Sequence, residues 1–274
     1  MDKRKRFEKI LKDIRQVKIQ GAKNIANAAL KAYELFPTNN SKKKLLSLRP
    51  TEPMLQNVLK RVDKELHENI IKHFDLSQNK INNYVLKTIN KNDLIFTHCH
   101  SSTVVEALLY ADKKGKNLEV YNTETRPLFQ GKKTAKELRE AGIKTTMFVD
   151  SAIGVALSNE QGTKKPNKVF IGADALLKKG IVNKIGSELV CRVAKENKIP
   201  VYVLADSWKF SKKKVKMEQR PISEIWASTH RSINFNIHNP AFEFVPKKYI
   251  TKVVTELGVM TYSSFLNAVS SDES

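Results

Sequence analysis

The chain predicts an α/β protein in two parts: a helical N-terminal domain over residues 1–91 and, over 92–274, a mostly parallel sheet wrapped by helices. Three observations carry that prediction. Apolar residues recur every three or four positions as far as Ile89. From Asp93 onward, short apolar runs alternate with amphipathic stretches, the rhythm of a parallel sheet with crossover helices. Polar, chemically capable residues gather at the C-terminal ends of those runs, where open α/β sheets bind ligands.

Phe7, Ile10, Leu11, Ile14 and Val17 repeat at helical spacing, and Ala22, Ile25, Ala26, Ala29 and Leu30 form a second stripe running toward Phe36-Pro37, so two helices precede residue 37. The pattern resumes over 53–91 with Met54, Leu55, Val58, Leu59 and Val62, then Ile70, Ile71 and Phe74, then Ile81, Tyr84, Val85 and Ile89. Strands are predicted at 94–97, 118–123, 144–149, 168–171, 201–205 and 253–255. A helical pattern begins at Thr103; a helix over 134–141 stops at Gly142, and one over 184–197 stops before Pro200. Residues 212–239 are irregular, polar and basic and predict a long connection or a lid.

Composition narrows the class. With 274 residues and 41% hydrophobic content the chain can bury one large core or two modest ones. Its apolar runs are far shorter than a membrane span, and Met1-Asp-Lys-Arg-Lys-Arg6 leads into a charged helix rather than a signal-peptide core, so a cytoplasmic protein with no membrane partner is expected. Two cysteines, Cys99 and Cys191, build neither a disulfide framework nor a Cys-rich zinc site, which fits a reducing compartment. The net charge of +21 comes from 49 Lys and Arg against 28 Asp and Glu. Lysine is spread along the whole chain, with short runs at 42–44, 178–179 and 212–214 and no arginine–aromatic block. That is the pattern of a solvated basic surface; it disfavours nucleic acid as partner and is compatible with a small polyanionic substrate.

Cys99 is the most informative residue. The apolar run Asp93-Leu-Ile-Phe-Thr97 breaks into His98-Cys-His-Ser-Ser102 just before a helical pattern, and backbone N–H groups at such a junction are expected to lower a thiol pKa. A small buried hydrophobe is the alternative, weakened by the hydrogen-bonding side chains around it. His98 and His100 lack a carboxylate or cysteine at ligand spacing, so no metal is expected. Asp174 follows Val169-Phe-Ile-Gly-Ala in apolar surroundings that raise a carboxyl pKa and suit a proton donor; capping a following helix is its alternative role. Asn183-Lys184 opens the predicted helix through Ile185-Gly186-Ser187, an arrangement suited to a phosphate. No Gly-x-Gly-x-x-Gly follows the first strand and no Gly-Lys-Ser phosphate loop occurs, so dinucleotide and nucleoside-triphosphate cofactors lose their main support.

Taken in order, Arg49-Pro-Thr51, Thr97-His-Cys-His-Ser-Ser102, Thr123-Glu-Thr-Arg-Pro-Leu-Phe-Gln-Gly131, Val149-Asp-Ser151, Gly172-Ala-Asp174, Asn183-Lys-Ile-Gly186, Asn239-Pro-Ala-Phe242 and Thr255-Glu-Leu-Gly258 resemble the family that joins archaeal ribose-1,5-bisphosphate isomerase, methylthioribose-1-phosphate isomerase and the alpha, beta and delta subunits of translation initiation factor 2B. The resemblance implies a Rossmann-like C-terminal domain and an aldose-to-ketose isomerisation of a sugar phosphate, without cofactor. It makes Cys99 the base and Asp174 the acid. It also implies that Gln20, Gly21, Ala22, Lys23, Arg49, Ser101, Ser102, Thr103, Gln130, Asn183, Lys184 and Lys209 hold the phosphates and sugar hydroxyls. The initiation-factor subunits generally lack the Cys–Asp pair, so its retention favours an enzyme, and His-Ser-Ser after the cysteine is similar to the ribose-1,5-bisphosphate branch. A sugar bisphosphate in nucleoside salvage, a homodimer or hexamer, and adenosine monophosphate as a candidate activator are what this branch implies. The alternative is a noncatalytic regulatory subunit, or the methylthioribose-1-phosphate activity. One position departs: the family motif begins Arg-Gly-Ala, whereas here Gln20 precedes Gly21-Ala22, and glutamine cannot reproduce a bidentate arginine.

Overall fold

The computed structural model describes residues 2–49, 52–226 and 236–271. Four helices open the chain: α1 (Lys3–Arg15), α2 (Ala22–Leu35), α3 (Asn39–Leu46) and α4 (Pro53–Arg61). Of these only α3, a lysine-rich helix of about two turns capped by the Thr38 side chain on the Ser41 N–H, lacks a helical stripe in the sequence. The stripes of the others close on one another, with Phe7, Leu11 and Ile14 against Ile25, Ala29, Leu45, Leu55 and Leu59.

The long α5 (His67–Thr88) works twice. Its first half, through Ile70 and Phe74, packs with Ala26, Leu30, Met54 and Val58 of the helical layer, while Ile81, Val85 and the following Ile89 pack on the sheet.

The main sheet contains every strand expected from the sequence: β1 (Leu94–Thr97), β2 (Glu119–Thr123), β3 (Lys144–Phe148), β4 (Lys168–Ile171), β7 (Val201–Leu204) and β10 (Lys252–Thr255), all parallel, with β11 (Gly258–Met260) added antiparallel at the edge. The spatial order is β11-β10-β7-β4-β1-β2-β3. In chain order the six parallel strands therefore lie 3-2-1-4-5-6, the doubly wound Rossmann arrangement, and the direction of winding reverses between β1 and β4. Helices α6 (Ser102–Ala111), α7 (Gln130–Glu140), α8 (Ile153–Ala156), α9 (Ser187–Glu196) and α10 (Tyr262–Ser271) complete the layers. Ile95, Val120, Phe170 and Leu204 face α5 and α6; Leu94, Phe96, Val169, Ile171 and Val203 face the opposite layer. Burial on both faces explains why these strands read as continuous apolar runs. Beneath them Lys168 Nζ lies 2.6 Å from the Asp93 carboxylate, and both groups are buried.

A second sheet was not expected from the sequence. β5 (Ala175–Leu177) and β6 (Gly180–Lys184) form a hairpin around Lys178-Lys179, flanked by β8 (Phe210–Ser211) and β9 (Phe242–Pro246) in the order β8-β5-β6-β9. Asn183-Lys184 therefore ends a strand rather than opening a helix, and α9 starts only at Ser187. Gly186, at φ +100°, turns the chain between them. The strands are short and the hairpin is tight, so the Lys178-Lys179 pair looks in the sequence like an ordinary exposed charge run. Within the irregular 212–239 stretch, residues 218–220 run antiparallel to 239–241 through Ala241 N–H to Glu218 O and Arg220 N–H to Asn239 O, followed by a 3-10 turn, Ile222–Glu224. Residues 227–235 of that stretch lie outside the described residues. No described helix is long and apolar enough to cross a membrane.

Candidate active site

The winding reversal opens a crevice at the C-terminal ends of β1 and β4, where a doubly wound sheet binds its ligand. Cys99 stands two residues beyond β1 and Asp174 three beyond β4, and these strands are hydrogen-bonded neighbours. A single cleft is lined by both, and by Gln20, Gly21, Ala22, Lys23, Arg49, Ser101, Ser102, Thr103, Gln130, Asn183, Lys184 and Lys209. Residues from the helical layer, both sheets and the 218–220 strap thus converge on one place. Pro50 and Thr51, which follow Arg49 in its motif, lie outside the described residues.

Cys99 adopts a left-handed backbone conformation, φ +66°, which a side-chain-bearing residue holds only when its surroundings impose it. Here they do. The Cys99 N–H donates to Thr125 Oγ1 at 3.0 Å, and Thr134 Oγ1 donates to the Cys99 carbonyl at 2.9 Å. Thr125 is in turn fixed by Asp150, whose carboxylate accepts from the N–H groups of Thr125 and Arg126 at 2.9 and 2.6 Å. On the near side His98 is buried with both ring nitrogens engaged, Nε2–H donating to Ile185 O at 2.8 Å and Nδ1 accepting from Thr123 Oγ1 at 2.6 Å. Burial holds its pKa down, so it is neutral. Its ring lies under Gly186, where a Cβ would meet Nε2 at 2.8 Å. His98 is therefore a positioning residue between the two sheets. His100 Nδ1 pairs with Thr134 Oγ1 at 3.1 Å.

The expectation of a lowered thiol pKa at Cys99 is corrected by this geometry. Burial pushes the thiol up to about 12; Lys184 and the His100 N–H pull it down, and Asp174 and Asp150 add to the rise. The helix that was to stabilise a thiolate starts three residues later, at Ser102, with Ser101 Oγ already capping the Val104 N–H. The Cys99 N–H is spent on Thr125. The first turn of α6 instead lends its Ser102 and Thr103 N–H groups to the cleft.

Asp174 also departs from its alternative role: a strand, β5, follows it, so there is no helix to cap, and its N–H donates to Val182 O at 2.9 Å. Burial raises the carboxyl pKa against the opposing pull of Lys209, Arg49 and Lys184. Asn183, with its amide oriented to satisfy its neighbours, donates to Asp174 Oδ2 and to Gly172 O, each at 3.3 Å. Gly172 is required here by close approach, because a Cβ would sit 2.6 Å from Ser101 Oγ. Lys209 Nζ donates to Ala173 O at 2.6 Å. Its position is set by Trp208, whose ring is stacked on His73 at 3.5 Å and 1°, with the Arg61 guanidinium 4.2 Å from its centroid. Asp206 in turn accepts from His73 Nε2 at 3.0 Å, and Glu256 accepts from the Ser207 N–H at 3.0 Å.

The helical layer supplies the other wall. Gln20 ties its amide back to Val17 O at 3.0 Å, and Lys23 pairs with Asp75 at 3.4 Å, so neither extends freely toward a phosphate. Arg49 is 6% exposed; its Nη2 lies 3.2 Å from Glu218 and 3.6 Å from Glu52, while Nε and Nη1 have no hydrogen-bond partner. Gln130 Oε1 is likewise buried without a partner. Unsatisfied buried donors and acceptors facing a cleft mark where a polar ligand seats. Sequence reading missed Glu52, Glu218 and Arg220. Glu52 sits at the N-cap position of α4, where a carboxylate reads as a cap, yet its side chain makes no capping bond and turns into the cleft.

A Rossmann-like crevice that sets a cysteine and an aspartic acid among buried lysines and an arginine defines a class of protein that acts on small anionic molecules. The sequence pattern of the Initiation factor 2 subunit family matches residues 18–262, and the chain belongs to that family. It is 33% identical to a ribose 1,5-bisphosphate isomerase of Methanocaldococcus jannaschii, over 90% of this chain and 89% of that protein. It is 31% identical to a ribose 1,5-bisphosphate isomerase of Archaeoglobus fulgidus, over 90% and 87%. A Pyrococcus horikoshii structure described as translation initiation factor eIF-2B superposes with a TM-score of 0.80 at 24% identity, covering 93% of this chain and 97% of that one, a likeness of fold. Within the family the chain is an isomerase.

Proposed function

We propose that the chain converts ribose 1,5-bisphosphate to ribulose 1,5-bisphosphate in nucleoside salvage, with Asp174 protonating the ring oxygen to open the sugar and Cys99 removing the C2 proton. The carrying observation is the pairing of Cys99 and Asp174 across the β1/β4 crevice, with Lys184, Lys209 and Arg49 around them. An acid needs a proton, and burial, which raises the Asp174 carboxyl pKa, favours the protonated form. The base acts as the thiolate, so the thiol must lose its own proton before it takes that of C2; burial opposes that ionisation, and the Lys184 charge and the His100 N–H favour it. Arg49, Gln130, Asn183, Lys184, Lys209 and the α6 N–H groups hold the phosphates and hydroxyls, fixing the sugar so that C2 meets the thiolate. A homodimer or hexamer, with adenosine monophosphate as activator, belongs to the same proposal.

The test is turnover of ribose 1,5-bisphosphate by the purified chain beside Cys99→Ser and Asp174→Asn. The expected result is conversion by the wild type, reduced at least about 10²-fold by either change. Gln20 and the doubly engaged Arg49 favour one second reading, a noncatalytic subunit that senses a sugar phosphate. Tight binding without conversion, of this sugar or of methylthioribose 1-phosphate, would establish it.

A further inference from the structure

Lys209 reaches the cleft from a 3-10 turn, Ser207–Lys209, and is buried there, with Nζ donating at 2.6 Å to the carbonyl of Ala173, the residue before Asp174. A lysine stem is long and flexible, so its ammonium stays on one carbonyl only if the backbone that carries it is fixed. The helical layer does that fixing. Asn57, in the middle of α4, donates through Nδ2 to Trp208 O at 2.8 Å and to Phe210 O at 3.0 Å, the carbonyls immediately before and after Lys209. Both partners are acceptors, so the amide has one orientation that satisfies them. Helix α5 grips the start of the same turn. Its His73 pairs with Asp206, which accepts from the Trp208 N–H at 2.9 Å, and its Ser77 donates at 3.2 Å to Glu256 Oε2, the oxygen that also takes the Ser207 N–H. Helix α4 meets the cleft at its N-cap residue Glu52, 3.6 Å from Arg49, and about one and a half turns later it meets the Lys209 turn.

We propose that Asn57 is a positioning residue for Lys209: by holding the carbonyls on both sides of it, the amide fixes the lysine backbone and so keeps Nζ at the edge of Asp174. Asn57 does not itself line the cleft, so removing its amide takes no contact directly from a bound sugar. Whatever it contributes passes through the lysine. That Lys209 holds substrate rests on the proposed function; the clamp on its backbone does not.

The test reads Lys209 by acetylation with N-hydroxysuccinimidyl acetate, followed at the peptide level by mass spectrometry in the substrate-free protein. A buried, donating ammonium reacts only when its turn opens, and loss of the Asn57 hydrogen bonds is expected to favour that opening about tenfold or more. Asn57→Ala is therefore expected to label Lys209 about tenfold faster, while Lys168, a buried lysine held by Asp93 at the start of β4, keeps its wild-type rate. No rise at Lys209, or an equal rise at both lysines, overturns the proposal. Asn57→Asp, of the same size but without the donor, is read in the same way and decides if the alanine variant does not fold. In an active enzyme a double-mutant cycle gives a second measure: Asn57→Ala is expected to lower kcat/KM about tenfold, and to lower it no further once Lys209→Met is in place. A loss undiminished in that background marks a merely structural amide and overturns the proposal. Failure of the wild type to turn over removes the isomerase reading alone, and labelling then decides.

Discussion

The Cys99 thiol provides the sharpest contrast between sequence expectation and geometry, and alkylation reads it directly. A thiol pushed up to about 12 is ionised to about one part in 10⁴ at pH 8, whereas an ordinary thiol near 8.5 is about one quarter ionised, a difference of roughly 2,000-fold. The rarer thiolate is the stronger nucleophile; with a Brønsted slope of about 0.4–0.5 it regains roughly 25- to 60-fold. Cys99 is thus expected to react with iodoacetamide about 40- to 100-fold more slowly than free cysteine at pH 8, with a rate still rising about tenfold per pH unit to pH 10. Cys191 is fully buried and its pKa is raised further, so it stays unlabelled while the protein is folded. Peptide-level mass spectrometry after timed quenching separates the two sites, and Cys99→Ser removes the labelled one. A rate that levels off at or below pH 8.5 would refute the reasoning, because it requires a thiolate stabilised as the strand-to-helix junction alone suggests. Restricted access slows the reaction at every pH but cannot produce that plateau, so the slope is the decisive quantity.

Other consequences are accessible to unfolding measurements. Gly131→Ala places a Cβ 1.7 Å from the Thr123 carbonyl, forcing β2 and α7 apart; a loss of about 3 kcal/mol, or roughly 6–12 °C in Tm, is expected by calorimetry. Lys168→Met strands the buried Asp93 carboxylate and is expected to cost about 3–5 kcal/mol in urea unfolding, with part recovered by adding Asp93→Asn. The raised carboxyls also shape stability against pH. Glu52, at about 8 when folded and near 4.3 when unfolded, binds more protons in the folded state across that window, so stability is greatest at the acidic end and falls as pH rises toward 8. The Tm is therefore expected to drop between pH 6 and 9, and Glu52→Gln to shrink the drop; an equal drop in the variant would exclude Glu52 as its source.

The central strands of the main sheet were legible because strands buried on both faces advertise themselves as unbroken apolar runs, and the candidate site was legible because such a sheet exposes chemistry at its strand ends. Cys99 and Asp174 follow from that rule. The second sheet was not legible, since its strands are short and one of them is paired with residues far along the chain: Asn183 lies opposite Glu243. Nothing local to Asn183-Lys184 distinguishes the end of a strand from the start of a helix. The thiol pKa was misjudged for the same reason. A helix N-terminus lowers a pKa only if its N–H groups are free to face the thiolate and burial does not outweigh them; the burial of Cys99 and the claim of Thr125 on its N–H are tertiary facts. Glu52 is the extreme case: at an N-cap position its sequence context argues for a surface role, and only the fold turns it inward.

The charge of the cleft runs against that of the chain. Although the protein carries +21, its cleft arginines are occupied by carboxylates, Arg49 by Glu52 and Glu218 and Arg220 by Glu218 and Glu224. On the proposed function, a substrate phosphate that takes Arg49 Nη2 competes with a resident acid, while Nε and Nη1 have no partner to displace. The two acids differ in how they can yield. Glu52 is enclosed, with nowhere to solvate a charge, so it yields by taking a proton. Glu218 has 21% of its side chain exposed and sits on a strap held by a few backbone bonds, so it can yield by moving into water. On that division Glu218 is the acid that an entering anion displaces, while Glu52 stays in the wall as a neutral carboxylic acid.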